Sequence, residues 1–297
     1  MLSDNLEKTI NRSVSYANDR QQEYVTLEHL LLALTDDKDA LKVLNACNIN
    51  IKNLSKSFID ESSNENTMIL HHIDFHMNDG EFVSLIGPSG CGKSTLLNII
   101  SGLDNPDNGE INISDIQSNN RLGKLSYMQQ KDLLLPWKTV LDNSILGLEV
   151  QNENKRVSEQ KAVELLETFG LSGYENYYPN QISGGMRQRA SFLRTILTNK
   201  KILLLDEPFS ALDSITRSQM QKWLLKLWKQ FNKTILLVTH DIDEAIFLSD
   251  RIYVMQNNNF NSMQIIHVEL PRPRTREIVL DDSFIKIKKE ILPLIEN

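Results

Sequence analysis

Nine residues, GPSGCGKST at positions 87–95, constrain this chain more than any other feature. An apolar run at 82–86 precedes them and a helix-forming run at 96–100 follows them, which is the strand–loop–helix context that the GxxxxGK[ST] pattern requires. Glycines let such a loop fold so that its N–H groups converge on phosphate oxygens, and the following helix adds its positive end. The segment therefore predicts a phosphate cradle, because an incidental glycine-rich turn would have to match every part of this context by accident.

The residues of this loop have different expected tasks. Lys93 is expected to reach the β- and γ-phosphates, Ser94 to ligate Mg²⁺ and Thr95 to contact the α-phosphate. Cys91 has no evident base beside it, so we interpret it as a small residue that fills space in the nucleotide-binding loop, not as a nucleophile. The loop residues expected to surround the phosphates are Gly87, Pro88, Ser89, Gly90, Cys91 and Gly92.

A second buried strand, predicted at 201–206, delivers two carboxylates at its C-terminal end, where open α/β sheets form ligand sites. Asp206 is a candidate ligand of Mg²⁺, and Glu207 is a candidate general base for the attacking water. His240 follows a further predicted strand, 234–238, and is a candidate contact for the γ-phosphate and for Glu207. The alternatives are a solvated acidic strand end and a structural histidine.

The remaining elements alternate between apolar strands and helices from residue 82 onward, which implies a mostly parallel sheet covered on both faces. Thr139 is a candidate N-cap, and the polar stretch 151–157 is expected to separate two helices. Before residue 82 we expect a hairpin with its tip at 60–66 and a strand at 68–75. Further predicted helices cover 140–149, 158–169, 214–231 and the chain from about 283, and further strands cover 251–255 and 264–268.

Residues 181–189, QISGGMRQR, distinguish this chain from other P-loop nucleotidases. A serine and two glycines at a helix start make a second anion-binding end. The segment resembles the LSGGQ signature of ABC ATPases, with Met186 in place of the signature glutamine. Other motifs follow in the family's order over about 49–280: Gln130 matches the Q-loop glutamine that contacts Mg²⁺ and the water, and residues 210–213 match the D-loop. Gln129 departs from the pattern, because that place is often apolar in the family.

Phe58 sits where the same family places an aromatic ring that stacks on adenine, although a core or hairpin position is the alternative. The resemblance implies an α/β P-loop NTPase with a RecA-like sheet core, an antiparallel β subdomain and a helical subdomain, preceded by a short all-α segment. It also implies a homodimer in which ATP is sandwiched between two copies. In that arrangement Ser183, Gly184 and Gly185 of one copy contact the γ-phosphate held by Lys93 of the other.

Two further segments, KDLLLPW at 131–137 and LPRPR at 270–274, resemble the nitrate, sulfonate and taurine importer ATPases, as does the ISGGM signature. This resemblance implies ATP hydrolysis coupled to uptake through separate integral-membrane permease subunits, with a periplasmic or extracellular substrate-binding protein as an indirect partner. It also implies a peripheral location on the cytoplasmic face of the membrane. We expect residues 133–137 to contact a permease helix, the alternative being that they pack the helical subdomain. Sulfonates, taurine, nitrate, bicarbonate and pyrimidine precursors all remain open as cargo.

The composition of the chain argues against several classes of function. A net charge of −7 argues against nucleic-acid binding, which needs a basic face. No apolar run approaches the ~20 residues of a spanning helix, and two cysteines, Cys47 and Cys91, make a disulfide framework unexpected. The alternatives are a soluble ABC ATPase of translation or DNA repair, which usually carries two linked units or a coiled-coil insertion, and a non-catalytic fusion protein.

The first 47 residues do not belong to this pattern and are predicted as a separate helical segment, ahead of an ATPase domain at 48–280 and a C-terminal helix at 281–297. Leu6, Ile10, Val14 and Ala17 recur at helical spacing. The segment resembles the start of the N-terminal domain of the protein-unfolding ATPase ClpA, which is a pair of four-helix repeats. At less than one repeat, it is either a fusion remnant or artefact without the adaptor-binding role, or a docking module for a partner.

Overall fold

The computed structural model describes residues 47–59, 66–114, 116, 120–256 and 263–296. The chain divides into two units, Met1–Cys47 and Asn48–Asn297. The helices predicted before residue 47 lie outside the described residues, as do residues 60–65 of the hairpin tip predicted at 60–66.

Strands and helices alternate along the second unit from residue 82 onward. In chain order the strands are β1 (Cys47–Ile59), β2 (Asn66–Asn78), β3 (Phe82–Ile86), β4 (Asn108–Ile113), β5 (Ser126–Met128), β6 (Ile202–Asp206), β7 (Thr234–Val238), β8 (Arg251–Val254) and β9 (Gln264–His267). The α-helices are α1 (Lys93–Ser101), α2 (Val140–Val150), α3 (Lys155–Leu166), α4 (Gly184–Leu197), α5 (Ser214–Phe231), α6 (Ile242–Leu248) and α7 (Asp282–Glu296).

The central sheet has the strand order β5-β6-β7-β3-β8-β9. Its neighbouring strands are parallel except β9, which is antiparallel to β8. Strands β3, β6 and β7 are buried along their whole length, as expected where helices cover both faces of a sheet. The predicted mostly parallel sheet is therefore confirmed, and its C-terminal edge brings the ends of three motif-bearing strands side by side.

A second, three-stranded sheet has the order β2-β1-β4, with β1 and β4 antiparallel in the register Ile49 to Ile113. Apolar side chains of both strands, among them Ile51 and Ile111, are buried in one cluster with residues of α1 and the central sheet. This sheet and the central one together give the α/β architecture expected from the sequence.

Some predicted boundaries are wrong. Helix α3 begins at Lys155 instead of residue 158, because the Asn154 side chain accepts hydrogen bonds from Arg156 N and Val157 N and caps the helix inside the stretch expected to be a linker. The same helix ends at Leu166, short of residue 169. Strands β4 and β5 were not predicted. By contrast, Thr139 does cap α2, accepting from Asp142 N at 3.1 Å.

The LPRPR segment ties the chain after β9 to the end of α6. The Arg274 guanidinium is buried and donates to five backbone carbonyls, three of them at the C-terminal end of α6 and the residue after it. Burial lowers the pKa of Arg274 to about 10. Arg272 pairs with Asp250 at 2.7 Å and stacks over Trp228 at 4.3 Å. In the described part of the chain, no helix has both the length and the apolar character needed to span a membrane.

Candidate active site

The phosphate loop connects β3 to α1 and presents an open helix start. Gly92, the N-cap of α1, has a φ of 98° and makes no side-chain cap bond. A Cβ at this position would lie 2.7 Å from Leu70 Cδ2, so glycine is required both by conformation and by space. Lys93 Nζ donates to the carbonyls of Gly87 at 2.8 Å and Pro88 at 2.6 Å, which holds the ammonium group inside the loop.

An oxygen-rich pair joins this loop to the end of β6. Ser94 Oγ donates to Asp206 Oδ2 at 2.7 Å, and Asp206 is almost fully buried. Burial raises the pKa of Asp206 and the neighbouring charge of Glu207 adds to the rise, while the Ser94 bond and Lys93 oppose it. A buried carboxylate that faces a hydroxyl group is a site where a cation would restore the ionised form.

Glu207 follows Asp206 with a left-handed backbone, φ 48°, a conformation that costs a non-glycine residue about 1 kcal/mol. Its backbone is held on both sides: Glu207 N donates to Val238 O at 2.9 Å, and its carbonyl accepts from Ser210 Oγ at 3.0 Å. The carboxylate Oε2 lies 3.3 Å from Nδ1 of His240. Adjacent strands β6 and β7 thus bring the two predicted residues into contact.

A cleft of ≈ 380 Å³ gathers most of the predicted site residues. Phe58 is 45% exposed at this cleft and is not a core residue, with Lys56 Nζ 5.1 Å from its ring. Ile69 of β2 also lines the cleft and was missed, because it looks like any apolar strand residue in the sequence. The cleft is lined by Phe58, Ile69, Ser89, Gly90, Gly92, Lys93, Ser94, Thr95, Gln130, Asp206 and Glu207.

The predicted loop residues Gly87, Pro88 and Cys91 do not line the cleft. The first two turn their carbonyls toward Lys93. Cys91 is buried, and burial raises the pKa of its thiol, which disfavours the reactive thiolate. These three residues therefore support the loop without lining the cleft.

The signature residues Ser183, Gly184 and Gly185 also lie outside this cleft. Ser183 caps α4 by accepting from Met186 N at 3.2 Å. A Cβ on Gly185 would come within 3.2 Å of Ala211 O, so the signature start packs closely on the segment after Glu207. The chain therefore carries two separate glycine-containing helix starts.

The segment that follows Gln130 is fixed to α4 by two arginines. Arg187 Nε donates to Asp132 Oδ2 at 3.1 Å, and Arg194 donates to the carbonyls of Asp132 and Leu133 at 2.7 and 2.8 Å. Leu134 is buried, whereas Leu133 is 50% exposed and Trp137 is 71% exposed. The segment is thus divided between one residue that packs inward and two that face solvent.

A groove of ≈ 400 Å³ lies near this segment, between the end of α1, β5 and α2. Its wall is mostly apolar and includes Leu103, Leu122, Leu146 and Val150. Leu103, Leu122 and Val150 are exposed although apolar, which is a common mark of an interaction surface.

Within the described residues, no group of three or more His, Cys, Asp or Glu side chains could hold a metal ion. A hydroxyl, a carboxylate and an amide oxygen line the cleft instead, from Ser94, Asp206 and Gln130. Such hard oxygen ligands suit Mg²⁺, which commonly takes one or two protein ligands and completes its shell with phosphate oxygens and water.

Comparison with known proteins agrees with this geometry. Residues 70–210 match the family model described as ABC transporter. The chain is 41% identical over 229 residues to the formylaminopyrimidine import ATP-binding protein ThiZ of Halalkalibacterium halodurans, covering 76% of this chain and 90% of that protein. This chain belongs to the ABC transporter ATP-binding proteins. A second member, the aliphatic sulfonates import ATP-binding protein SsuB of Bacillus cereus, is 41% identical over 248 residues, or 84% of this chain and 96% of the relative.

A solved structure of the ABC cassette MJ0796, described as dimeric, matches this ABC ATPase with a TM-score of 0.69 and 33% identity, covering 75% of this chain and all of the other. Another structure of the same cassette is a post-hydrolysis state bound to ADP and Pi. The predictions of the fold, of ATP binding and of ATPase activity are confirmed. The chain is the ATP-binding subunit of an ABC importer.

The Clp resemblance is confirmed as well, since residues 1–68 match the Clp repeat (R) N-terminal domain. The match extends past Cys47, where the sequence had suggested its end. Residues 47–59 and 66–68 within it belong to strands β1 and β2.

Proposed function

We propose that this ABC ATPase hydrolyses MgATP in the cleft around Lys93 and Asp206, as a homodimer, and thereby energises the import of a small organic solute. The observation that carries this proposal is the pair of contacts Ser94–Asp206 at 2.7 Å and Glu207–His240 at 3.3 Å. Ser94, Asp206 and Glu207 line the cleft, and His240 does not line it but reaches it through Glu207. Hydrolysis needs both an anion site and a positioned base, and these contacts supply candidates for each.

Lys93 and the first turn of α1 would bind the phosphates. Two carbonyls of the loop hold the ammonium group in place, which would preorganise its charge for the phosphates. Phe58 is exposed where the family stacks adenine, and Thr95 lines the same cleft. Ser94, Gln130 and Asp206 would hold Mg²⁺, which supplies charge neutralisation at the β- and γ-phosphates when bound.

Glu207 would act as general base on the attacking water. Its left-handed backbone and two backbone hydrogen bonds fix where the carboxylate begins. His240 would orient that carboxylate through Nδ1 and contact the γ-phosphate. Gln130, which also lines the cleft, would contact the water.

Ser183, Gly184 and Gly185 would complete the site of a second copy. They form a helix start that does not line their own chain's cleft. A serine hydroxyl can accept from Met186 N and still donate its hydrogen to a phosphate oxygen. A dimer joined by ATP would use both helix starts of each chain, and this agrees with the dimeric form described for MJ0796.

A permease would dock on Leu133 and Trp137 and in the neighbouring groove. Both side chains are exposed, although Arg194 holds the carbonyl of Leu133 and Asn143 bonds the backbone of Leu135 and Lys138 on either side of Trp137. An exposed tryptophan on a fixed loop is a common binding hot spot. We also propose a location on the cytoplasmic face of the membrane, with a substrate-binding protein as an indirect partner, because the resemblance to importer ATPases implies both.

For cargo we propose a small polar organic solute of the sulfonate, taurine or nitrate-like class. The support is similarity alone: SsuB is named for aliphatic sulfonates and ThiZ for formylaminopyrimidine. For domains we propose a Clp-like segment at 1–47, the ATPase domain at 48–280 and a C-terminal helix at 281–297. We propose that the first segment is a remnant without an adaptor-binding role.

The test is Glu207→Gln in the full chain, measured by phosphate release and by nucleotide binding. Loss of the base should lower turnover by about 1000-fold while ATP affinity stays within about threefold, because the amide keeps the shape but cannot take a proton. The matched control is Glu149→Gln, which alters a partly buried pairing with Lys138 at 3.0 Å that lies outside the cleft. Turnover at the parental rate in Glu207→Gln would contradict the role given to this carboxylate.

A further inference from the structure

His240 receives little support through its own side chain. The imidazole is 66% exposed, and its described contact is Glu207 at 3.3 Å. The direction of this ring is therefore set mainly by the backbone of residues 239–241. The contacts that hold the turn at residues 239–241 therefore also set the position of His240 relative to Glu207.

Thr239 fixes one side of the turn. It is buried, and its N–H donates to Leu85 O on strand β3 at 3.2 Å. Its hydroxyl accepts from Asp241 N at 3.1 Å, so it bridges the two residues that flank His240. The same hydroxyl donates to Glu244 Oε2 at 2.6 Å. Because a hydroxyl has one hydrogen to donate, that hydrogen is committed to Glu244.

Glu244 is a buried acid on the first turn of α6, with 6% of its surface exposed. Its second oxygen, Oε1, accepts from Gln221 Nε2 of α5 at 2.8 Å. The carboxyl group thus connects the His240 turn to α5, the helix that follows the D-loop. Burial raises the pKa of Glu244, and the bonds from Thr239 and Gln221 oppose that rise.

A role as an ordinary helix cap does not account for this carboxyl group. The spacing Asp241-x-x-Glu244 predicts a capping box, in which Glu244 would accept from the N–H of Asp241. One of the two bonds of a capping box is present, since the Asp241 side chain accepts from Glu244 N at 3.1 Å. The reciprocal bond is replaced, since Asp241 N donates to Thr239 Oγ1 and the Glu244 carboxyl group bonds to Thr239 and Gln221 instead.

We infer that Glu244 is a positioning residue for hydrolysis, which acts through the Thr239 hydroxyl to aim His240 at Glu207. The inference rests on the role proposed above for His240. Glu244 is not among the residues that line the nucleotide cleft, so the inferred route to the reaction is the turn at residues 239–241.

The first experiment measures ATP turnover by the full chain carrying Thr239→Val or Glu244→Met. Each should lower kcat by about 10- to 100-fold, since a misplaced group near the reacting atoms costs rate steeply. The KM for ATP should stay within about twofold, because the residues that bind nucleotide are untouched. Thr239→Ser keeps the hydroxyl and should restore turnover to within about threefold of the parent. A KM that rises while kcat is unchanged would overturn the inference.

The second experiment is a double-mutant cycle with His240→Ala, run with Thr239→Val because this isosteric change is the milder one for folding. If the turn acts through the histidine, the double variant should be no slower than His240→Ala, within about twofold. Losses that multiply would overturn the inference while leaving the proposed function intact. Parental turnover in His240→Ala would instead contradict the proposed role of His240, and this inference with it. Melting temperatures confirm that each variant is folded.

Discussion

The two glycine-containing helix starts of this chain look alike in sequence but differ in what they leave available. Helix α1 has Gly92 as its N-cap and no side-chain cap, and residues 92–95 line the cleft. Helix α4 begins at Ser183, whose hydroxyl already accepts from Met186 N. The start of α1 carries the Lys93 ammonium group, and Ser94 links it to the Asp206 carboxyl group. The second start lies outside that cleft, and for this reason we propose that it completes the site of another copy.

Removing the Lys93 ammonium group at the start of α1 should have the largest effect on ATP binding and turnover. Lys93→Met is expected to abolish measurable ATP binding and lower turnover by about 100- to 1000-fold, because no other ammonium group lines the described cleft. Nucleotide binding by fluorescence titration and phosphate release measure the two effects. Lys201→Met is the control, since its exposed pairing with Asp79 at 2.7 Å should matter little. Nearly unchanged affinity in Lys93→Met would mean that the α1 start is not the phosphate site.

Removing the Ser183 hydroxyl group at the start of α4 should have an intermediate effect on turnover. Ser183→Ala is expected to lower turnover by about 10- to 100-fold, the value of one hydrogen bond to a charged group. It should leave ATP affinity of the isolated chain unchanged, because Ser183 lies outside that chain's own cleft. Loss of the cap should also lower the free energy of unfolding by about 1 kcal/mol.

The control for Ser183 is Asn154→Ala at the start of α3, where the side chain accepts from Arg156 N and Val157 N. It should lose similar stability, about 1 kcal/mol, with turnover unchanged. Equal turnover in the two variants would show that Ser183 serves as a cap alone.

The smallest effect on the isolated chain is expected for Trp137→Ala. Turnover should stay within about twofold, because this side chain is 71% exposed and outside the cleft. Co-purification of the permease from membranes should be lost, since burying a tryptophan at a contact contributes about 2 kcal/mol or more. Leu280→Ala removes a comparably exposed apolar side chain and should leave the complex intact. Retention of the permease by Trp137→Ala would move the contact elsewhere.

The fold was predictable where the residues of a single segment are enough to indicate its secondary structure. Strands β3 and β7 and helix α5 have the predicted bounds, because each is an uninterrupted apolar run or a long amphipathic one. Strand β4 has only two buried apolar residues, Ile111 and Ile113, and depends on pairing with β1. Strand β5 is three residues long and exists as the partner of β6. Such elements depend on partners distant in sequence.

The site shows the same division. Lys93, Ser94, Asp206 and Glu207 belong to local motifs, and the structure brings all four to one cleft. Glu244 was missed as a supporting residue. The Asp-x-x-Glu spacing was visible, but it predicts a helix cap. Only the tertiary fold brings Gln221 of α5 to the Glu244 carboxyl group, which also accepts from Thr239 in the turn before α6.

The most direct test of the two-start account is the molar mass of the full chain carrying Glu207→Gln, measured by light scattering with and without MgATP. Blocked turnover should hold ATP between two copies, so the mass should double with MgATP and return to the monomer value when Ser183 is also changed to arginine. A chain that stays monomeric with saturating MgATP, or a dimer indifferent to Ser183, would contradict the claim that each copy completes the other's site.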